Sequence, residues 1–550
     1  MLRARPLPPL TGNLLPLTGN VVVGWAGPIA VALFAGFLRF YRLSTPRAVV
    51  FDETYYAKDA YSLLTFGYEH VTLHDAKNHD LANPRILDGR TDIWQDGPSF
   101  IAHPPGGKWM IAAGEWLFGL DPFGWRFMAA LFGTLSVLIL ARIGKRMTGS
   151  TLLGCAAGLL LALDGLHFVA SRTAILDIFV MFWVLAAFGC LLVDRDTVRA
   201  RRLASADDAP VPTQTADSAA FGYATAYGDA TAVEGAATSA ERAEGPGWWG
   251  RVRWGRVRWW RLAAAVCLGL ACSVKWSGIY YVIAFGAMTL LWDVGSRRMA
   301  GGRRPWLGML RYDLPGVLFG GVLAIGAYLA TWSGWFATSG GWDRHWADGR
   351  GGTFSFVPGP LRSLWHYHAE ILHFHTHLHD KHRYQSWPWD WPVLRRPVAF
   401  YYVEPRGCGA SRCSQEVLAL GTPAIWWASL GALVFLLGYW LVRRDWRAGA
   451  IVLGYLAGWV PWFYYAFGDR TMFAFYATPM IPFMCLAIVL TLGLALGPAG
   501  QTTRRTVGAV LSGAFLLIVI INFGYLYPIL TAEVIPFRDW QDRIWFNSWV

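Results

Sequence analysis

Residues 21–38 read Val21-Val22-Val23-Gly24-Trp25-Ala26-Gly27-Pro28-Ile29-Ala30-Val31-Ala32-Leu33-Phe34-Ala35-Gly36-Phe37-Leu38, without one formal charge. A helix of that length reaches across most of a bilayer core of about 30 Å. A second uncharged run, 507–521, does the same near the other end of the chain. The 550 residues share the bias: 55% are hydrophobic, only 15% are charged, and the mean hydropathy is +0.33. A soluble chain would carry roughly 25% charged residues. A soluble globular enzyme, a fibrous protein and a disordered chain are therefore excluded. The 31 Trp, 32 Phe and 22 Tyr suit aromatic belts at two membrane interfaces.

Apolar stretches separated by polar loops predict eleven transmembrane helices, near 20–39, 124–143, 150–169, 174–193, 262–275, 277–294, 314–335, 420–442, 448–467, 473–497 and 506–528. The expected fold class is an all-α polytopic membrane protein. The run 151–193 is too long for one helix and is interrupted at Asp164-Gly165-Leu166-His167 and at Ser171-Arg172. The run 262–294 is interrupted by Ser273-Val274-Lys275-Trp276-Ser277-Gly278. Basic residues follow every second span: Arg142, Lys145 and Arg146; Arg195 to Arg202; Arg297 to Arg311; Arg443, Arg444 and Arg447; Arg504 and Arg505. All of these are cytoplasmic if the amino terminus is, which leaves the carboxy terminus outside. The net charge of +12 is thus a topology signal, and no nucleic-acid partner is expected.

The same topology sorts the remaining segments. Residues 1–19, with Pro-Leu-Thr-Gly-Asn repeated at 9–13 and 16–20, are expected as a disordered cytoplasmic tail before an uncleaved anchor. Residues 20–528 form the transmembrane domain. Residues 203–247, poor in large aliphatics, are expected as a disordered cytoplasmic insert, and 529–550 as an extracytoplasmic tail. Two large loops, near 40–123 and 336–419, lie outside, and all thirteen His fall outside or at the outer membrane edge. Chemistry is expected on that side.

Just beyond the first span comes Val49-Val50-Phe51-Asp52-Glu53-Thr54-Tyr55-Tyr56. The adjacent carboxylates Asp52 and Glu53 fit two readings. They open a helix as N-cap and first turn, or one of them takes a proton from an attacking hydroxyl. His103-Pro104-Pro105-Gly106-Gly107-Lys108 is either a turn before an interfacial helix or a rigid substrate loop with Lys108 on an anion. Arg126, Arg172, Asp177, Lys275 and Arg470 sit at span ends, where a charge is costly unless it meets a cavity, a phosphate or an opposite charge. Cations suit a phosphate leaving group. Together these residues point to glycosyl transfer from a lipid-linked phosphosugar.

The chain resembles the protein O-mannosyltransferases of the actinobacterial type, in the multi-span GT-C class (glycosyltransferase family 39). The resemblance rests on Phe51-Asp52-Glu53, His103 to Lys108, Ser171-Arg172-Thr173 with Leu176-Asp177, Ser273 to Gly278, and His382-Arg383-Tyr384-Gln385-Ser386-Trp387-Pro388-Trp389-Asp390-Trp391-Pro392, in family order across most of the chain. It implies mannose transfer from polyprenyl-phosphate mannose to Ser or Thr of exported proteins, with inversion at the anomeric carbon. It implies further that Asp52 is the general base, that Glu53 supports it or binds the acceptor, and that Arg126 contacts the donor phosphate or shapes the site. His103, Lys108, Arg172, Asp177, Lys275 and Arg470 complete the expected donor and substrate set. The enzyme would work in the plasma membrane with its site extracytoplasmic, among membrane lipids, with the translocon as a further partner. A divalent metal is an open question.

An alternative within the same fold glycosylates a lipid or a cell-wall glycan. A transporter would concentrate charges at mid-membrane in paired repeats, which this sequence lacks. In the segment 365–379, a helix would align His366, Glu370, His373 and His377, as metal ligands or as the polar face of an interfacial helix. Cys408 and Cys413 are read as a disulfide or, less simply, as a metal pair. The other five Cys lie in spans and pack.

Overall fold

The computed structural model describes residues 21–75, 77–207, 257–497, 500 and 502–550; the expected tail 1–19 and positions 208–247 of the expected insert lie outside the described residues. Helix α1 (Val21–Phe40) leads into the loop 40–123, which folds as α2 (Glu53–Phe66), β1 (His70–Thr72), α3 (Ala82–Leu87), β2 (Trp94–Pro98) and α4 (Gly106–Phe118). Then follow α5 (Pro122–Thr148), α6 (Thr151–Ala162), α7 (Gly165–Ala170), α8 (Asp177–Asp207), α9 (Trp259–Val274) and α10 (Gly278–Met299). Next come α11 (Pro305–Gly308), a π-helical turn (Met309–Asp313), α12 (Leu314–Ala330) and α13 (Ser333–Ala337). The loop 336–419 carries α14 (Gly359–Thr376), β3 (Val398–Val403) and β4 (Cys413–Ala419). The chain closes with α15 (Pro423–Arg443), α16 (Trp446–Trp459), α17 (Pro461–Phe467), α18 (Ile481–Leu496), α19 (Thr503–Leu530), β5 (Ile535–Pro536) and α20 (Phe537–Arg543).

Among the described residues, eight helices are long and apolar enough to cross a membrane, and three shorter apolar helices stand at Gly24–Phe40, Thr151–Ala162 and Trp259–Val274. They fall where the hydropathy pattern placed its spans. Local chemistry sets the ends. Asp121 caps α5 by accepting from Gly124 N at 2.8 Å, and Gly149 ends it at φ 74°. The long run 151–193 breaks where expected, because the Asp164 carboxylate accepts from His167 N at 2.9 Å and starts α7. Helices α8 and α18 form the centre, with 72% and 78% of their apolar windows buried, whereas α12 and α19 turn almost all of theirs outward at 11% and 17%. That is the layering of a bundle whose outer helices meet lipid. Helices α5 and α6 touch at Gly154, where a Cβ would stand 2.4 Å from Ala141 O.

The two long loops meet at one end of the bundle. Ile101 N donates to the Tyr367 hydroxyl at 3.2 Å, and His375 Nε2 donates to Ala102 O at 2.6 Å. The basic turns gather at the other end, where Arg146 pairs with Asp196 at 2.8 Å and Arg447 donates to Met147 O at 3.3 Å. The segment 529–550, expected as an extracytoplasmic tail, is folded against the rest of the chain. Strand β5 extends an antiparallel sheet in the order β3-β4-β5. Trp540 Nε1 donates to Glu416 at 2.6 Å, and Trp549 is fully buried with its Nε1 on Leu394 O. Two indole rings and a sheet edge give this segment enough burial to fold against the loop 336–419.

Candidate active site

The turn after α1 sets the site's geometry. Phe51 adopts φ 46°, a left-handed conformation costly for an aromatic residue. Its ring is held by a stack on Phe400 at 4.7 Å and edge contacts with Phe475 at 5.6 Å and Phe473 at 6.1 Å. That twist turns the two adjacent carboxylates apart. Glu53 points inward and is 1% exposed. It accepts from Arg126 Nε at 2.7 Å and Nη2 at 2.8 Å, from Val50 N at 3.0 Å and from Ala174 N at 3.0 Å. Arg126 spends its remaining donors on Leu43 O, Pro46 O and Ala48 O. Arg172 likewise caps the end of α1, donating to the carbonyls of Leu38, Arg39, Tyr41 and Arg42.

Glu53 and Arg126 are thus bonded to each other and to the backbone around the Asp52 turn, and Arg172 to the carbonyls at the end of α1. Carbonyls left over at a helix end inside an apolar bundle draw guanidiniums to themselves. Lys108 follows the same rule in another direction, because it is buried between Asp59 at 3.0 Å and Glu69 at 3.1 Å. It ties α4 to the α2 region and has no face left for an anion.

Asp52 stands apart from this. It caps no helix through its side chain and has no ion pair among the described residues. Burial pushes its carboxyl up to about 6, with the charge of Asp177 adding to the rise and Lys275 and the Tyr56 hydroxyl opposing it. Lys275 Nζ pairs with Asp177 at 2.6 Å and lies over the rings of Tyr476 at 5.0 Å and Phe475 at 5.6 Å. The pair has a simple origin: Asp177 opens α8 and Lys275 follows the last residue of α9, each at the helix end its charge prefers.

The His103–Lys108 stretch is pressed against that same turn. A Cβ on Gly106 would stand 2.2 Å from Ser273 Oγ, so only glycine permits the approach. His103 Nδ1 is buried without a partner, its ring 5.0 Å from that of His375 and 6.3 Å from that of Tyr56. Burial first, then the positive charge of Lys275, of His375 when protonated, and of Lys108 and Arg470, hold His103 well below the usual imidazole range. Arg470 donates to His375 O at 2.8 Å and Thr471 O at 3.2 Å, and has no carboxylate partner among the described residues. Burial and Arg470 bring His375 down to about 4.

The structure thus gathers Asp52, Tyr56, His103, Asp177, Lys275, His375 and Arg470, and leaves Glu53, Lys108, Arg126 and Arg172 in the supporting frame. Beyond Phe51 opens a cleft of about 850 Å³ lined by residues of the 379–387 stretch and the Gly468–Asp469 turn. The sequence reading missed Tyr56, His375 and this cleft as parts of the site. The inward face of α14, Leu364, Tyr367 and Ile371, all buried, carries His375 one turn further and would have found it.

His366, Glu370 and His373 lie on α14 and His377 is its C-cap, but His366 bonds to Asp343 at 3.1 Å and stacks on Trp346 at 4.2 Å. Among the described residues no three His, Cys, Asp or Glu stand close enough together to hold a metal ion. Cys408 in the β3–β4 connection is bonded to Cys413, the first residue of β4.

Two family models match. The model of the dolichyl-phosphate-mannose-protein mannosyltransferases covers residues 29–204, and that of the C-terminal four-transmembrane region of protein-O-mannosyltransferase covers 360–549. A polyprenol-phosphate-mannose–protein mannosyltransferase of Mycobacterium tuberculosis is 39% identical over 96% of this chain and 92% of its own length. The chain belongs to the protein O-mannosyltransferase family. A Corynebacterium glutamicum protein of the same name is 31% identical over 94% of the chain and 92% of its own. In shape, a yeast protein O-mannosyltransferase Pmt1-Pmt2 complex bound to the sugar donor superposes with a TM-score of 0.63 at 13% identity, over 97% of this chain and 93% of that one. The fold is that of the GT-C membrane glycosyltransferases, and the family makes this chain a mannosyltransferase.

Proposed function

We propose that the protein transfers mannose from polyprenyl-phosphate mannose to Ser or Thr hydroxyls of exported polypeptides, at the extracytoplasmic face of the plasma membrane. The names of its relatives support the donor, and the basic turns at the end remote from Asp52 support the orientation. The single observation that carries the chemistry is Asp52, a carboxyl beside Lys275 and Asp177 with no ion pair among the described residues.

In this reading the acceptor O–H hydrogen-bonds to the Asp52 carboxylate. The acceptor oxygen forms a bond to the anomeric carbon as the bond from that carbon to the phosphate oxygen breaks. The proton passes to Asp52, and the electron pair of the broken bond leaves with polyprenyl phosphate. Attack from the face opposite the phosphate inverts the configuration through an oxocarbenium-like transition state. A carboxyl titrating near 6 is ionised at neutral pH, yet basic enough to take a hydroxyl proton as that bond forms. Glu53 and Arg126 hold the turn that aims Asp52. His103, kept neutral, offers its unpartnered Nδ1 to a sugar or acceptor hydroxyl.

The test uses membranes containing the full chain, polyprenyl-phosphate mannose and a Ser/Thr-rich peptide. Mannosylated peptide is the expected product, lost in Asp52→Asn. A mannosylated lipid or glycan with no peptide product would overturn the acceptor assignment.

A further inference from the structure

The cations the sequence nominated for the leaving phosphate are nearly all committed to protein acceptors. Lys108 lies between two carboxylates, Arg126 and Arg172 are saturated, and Lys275 belongs to Asp177. Lys381 is different. It is exposed in the wall of the 850 Å³ cleft and has no hydrogen bond or ion pair to any described residue. His379, His382, Gln385 and Trp387 line the cleft with it, and the His382 ring lies 6.5 Å from that of Phe51, the neighbour of Asp52. Gly468 and Asp469 also line it, beside His379, whose Nδ1 is 3.4 Å from Asp469 O, and they directly follow α17, the end of an apolar helix pair, where Tyr464 and Phe467 are 79% and 81% exposed. Trp389, itself 45% exposed, stacks on Trp387 at 5.7 Å and continues that aromatic rim. The cleft is thus bordered by exposed aromatics, holds an unpaired lysine and two histidines, and reaches Phe51, the neighbour of Asp52, through the His382 ring.

We propose that this cleft is the port for the donor's phosphate: Lys381, with His379 and His382, holds the phosphodiester while the prenyl chain leaves sideways past Tyr464 and Phe467. The assignment rests on the mannosyl-transfer reading above. The mannose would lie on the Phe51 side with Asp52 beyond it, the line an in-line displacement needs. When the anomeric bond breaks, the phosphodiester becomes a phosphate monoester and its oxygens take up a second negative charge. A free ammonium interacts more strongly with that product than with the donor, and so stabilises the transition state between them.

The experiment compares wild-type, Lys381→Ala and Lys381→Arg full-length protein in undecaprenol-free liposomes. It measures the donor KM, the acceptor-peptide KM, and inhibition by undecaprenyl phosphate and by inorganic phosphate. Lys381→Ala should raise the donor KM and the undecaprenyl phosphate inhibition constant about tenfold or more, as loss of a charge-assisted contact does. The acceptor KM should stay put, and Lys381→Arg should restore most of the loss. A Tyr464→Ser, Phe467→Ser double variant should weaken inhibition by undecaprenyl phosphate but not by inorganic phosphate, which separates a lipid port from a simple anion site. Unchanged inhibition in Lys381→Ala, or a rise confined to the acceptor KM, overturns the assignment while leaving mannosyl transfer intact. If the wild type makes no mannosyl peptide, the functional reading fails instead, and undecaprenyl phosphate binding by wild type and Lys381→Ala still tests the cleft.

Discussion

Two clusters of charged and polar groups sit in this molecule, and they are built in opposite ways. At the end with the basic turns, Asp194, Asp293 and Asp313 meet Arg202, Arg258, Arg261 and Arg297. Asp293 bonds to Arg258 at 2.9 Å and to Arg261; Asp313 bonds to Arg297 at 2.8 Å and to Arg202 at 3.0 Å; Asp194 bonds to Arg258 and lies 3.6 Å from Arg261. Every carboxylate there has two or more guanidiniums, and the cluster clamps α8, α9, α10 and the π-helical turn together. At the other end, Asp52 has no ion pair, His103 Nδ1 has no partner, and Lys381 faces an open cleft. Burying an unmatched charge costs free energy that the first cluster avoids by saturation. The second leaves groups without protein partners, the pattern expected of groups that meet a substrate rather than each other.

The sharpest way to break this contrast is to neutralise one carboxylate at each end. Asp52→Asn should lower peptide mannosylation by about 10³-fold or more, within the usual range for a general base, and leave the melting temperature of the purified protein nearly unmoved. Asp293→Asn should do the reverse, costing about 3–5 kcal/mol of stability with little change in turnover per folded molecule. Equal stability losses in both would erase the distinction. Glu53→Gln belongs between them. It loosens the Arg126 clamp and the turn carrying Asp52, so about 2 kcal/mol of stability and about tenfold in turnover should go together, read by thermal unfolding and initial rates.

The smallest expected effect concerns pH. With Asp52 titrating at about 6, kcat/KM should climb as pH rises from 5 to 7 and the carboxyl loses its proton. Asp177→Asn removes a like charge and should move that limb to lower pH, whereas Lys275→Gln removes an opposing cation and should move it higher. Shifts in the same direction would show that the limb belongs to another group.

Much of the bundle was readable in advance because hydropathy acts locally. Each apolar helix carries its own signal, and breakers such as Asp164 act within one turn of chain. The adjacent carboxylates were legible as a pair but not as opposites, since only the left-handed turn at Phe51 sends Glu53 inward and leaves Asp52 unpaired. Arg126 and Arg172 looked like phosphate ligands because a buried guanidinium must find acceptors. The chain did not reveal that backbone carbonyls of the 38–48 stretch would supply them. The packing of the terminal segment was not legible because its two buried Trp contacts lie more than a hundred positions away in sequence.

What the amino-acid sequence determined by itself was the place of the apolar helices, the basic turns between them and the acidic pair beside the first, all properties of a residue and its near neighbours. Tertiary structure alone decided which charges were left over. Whether a carboxylate or an ammonium is matched depends on groups that reach it from distant helices, and no local pattern counts those.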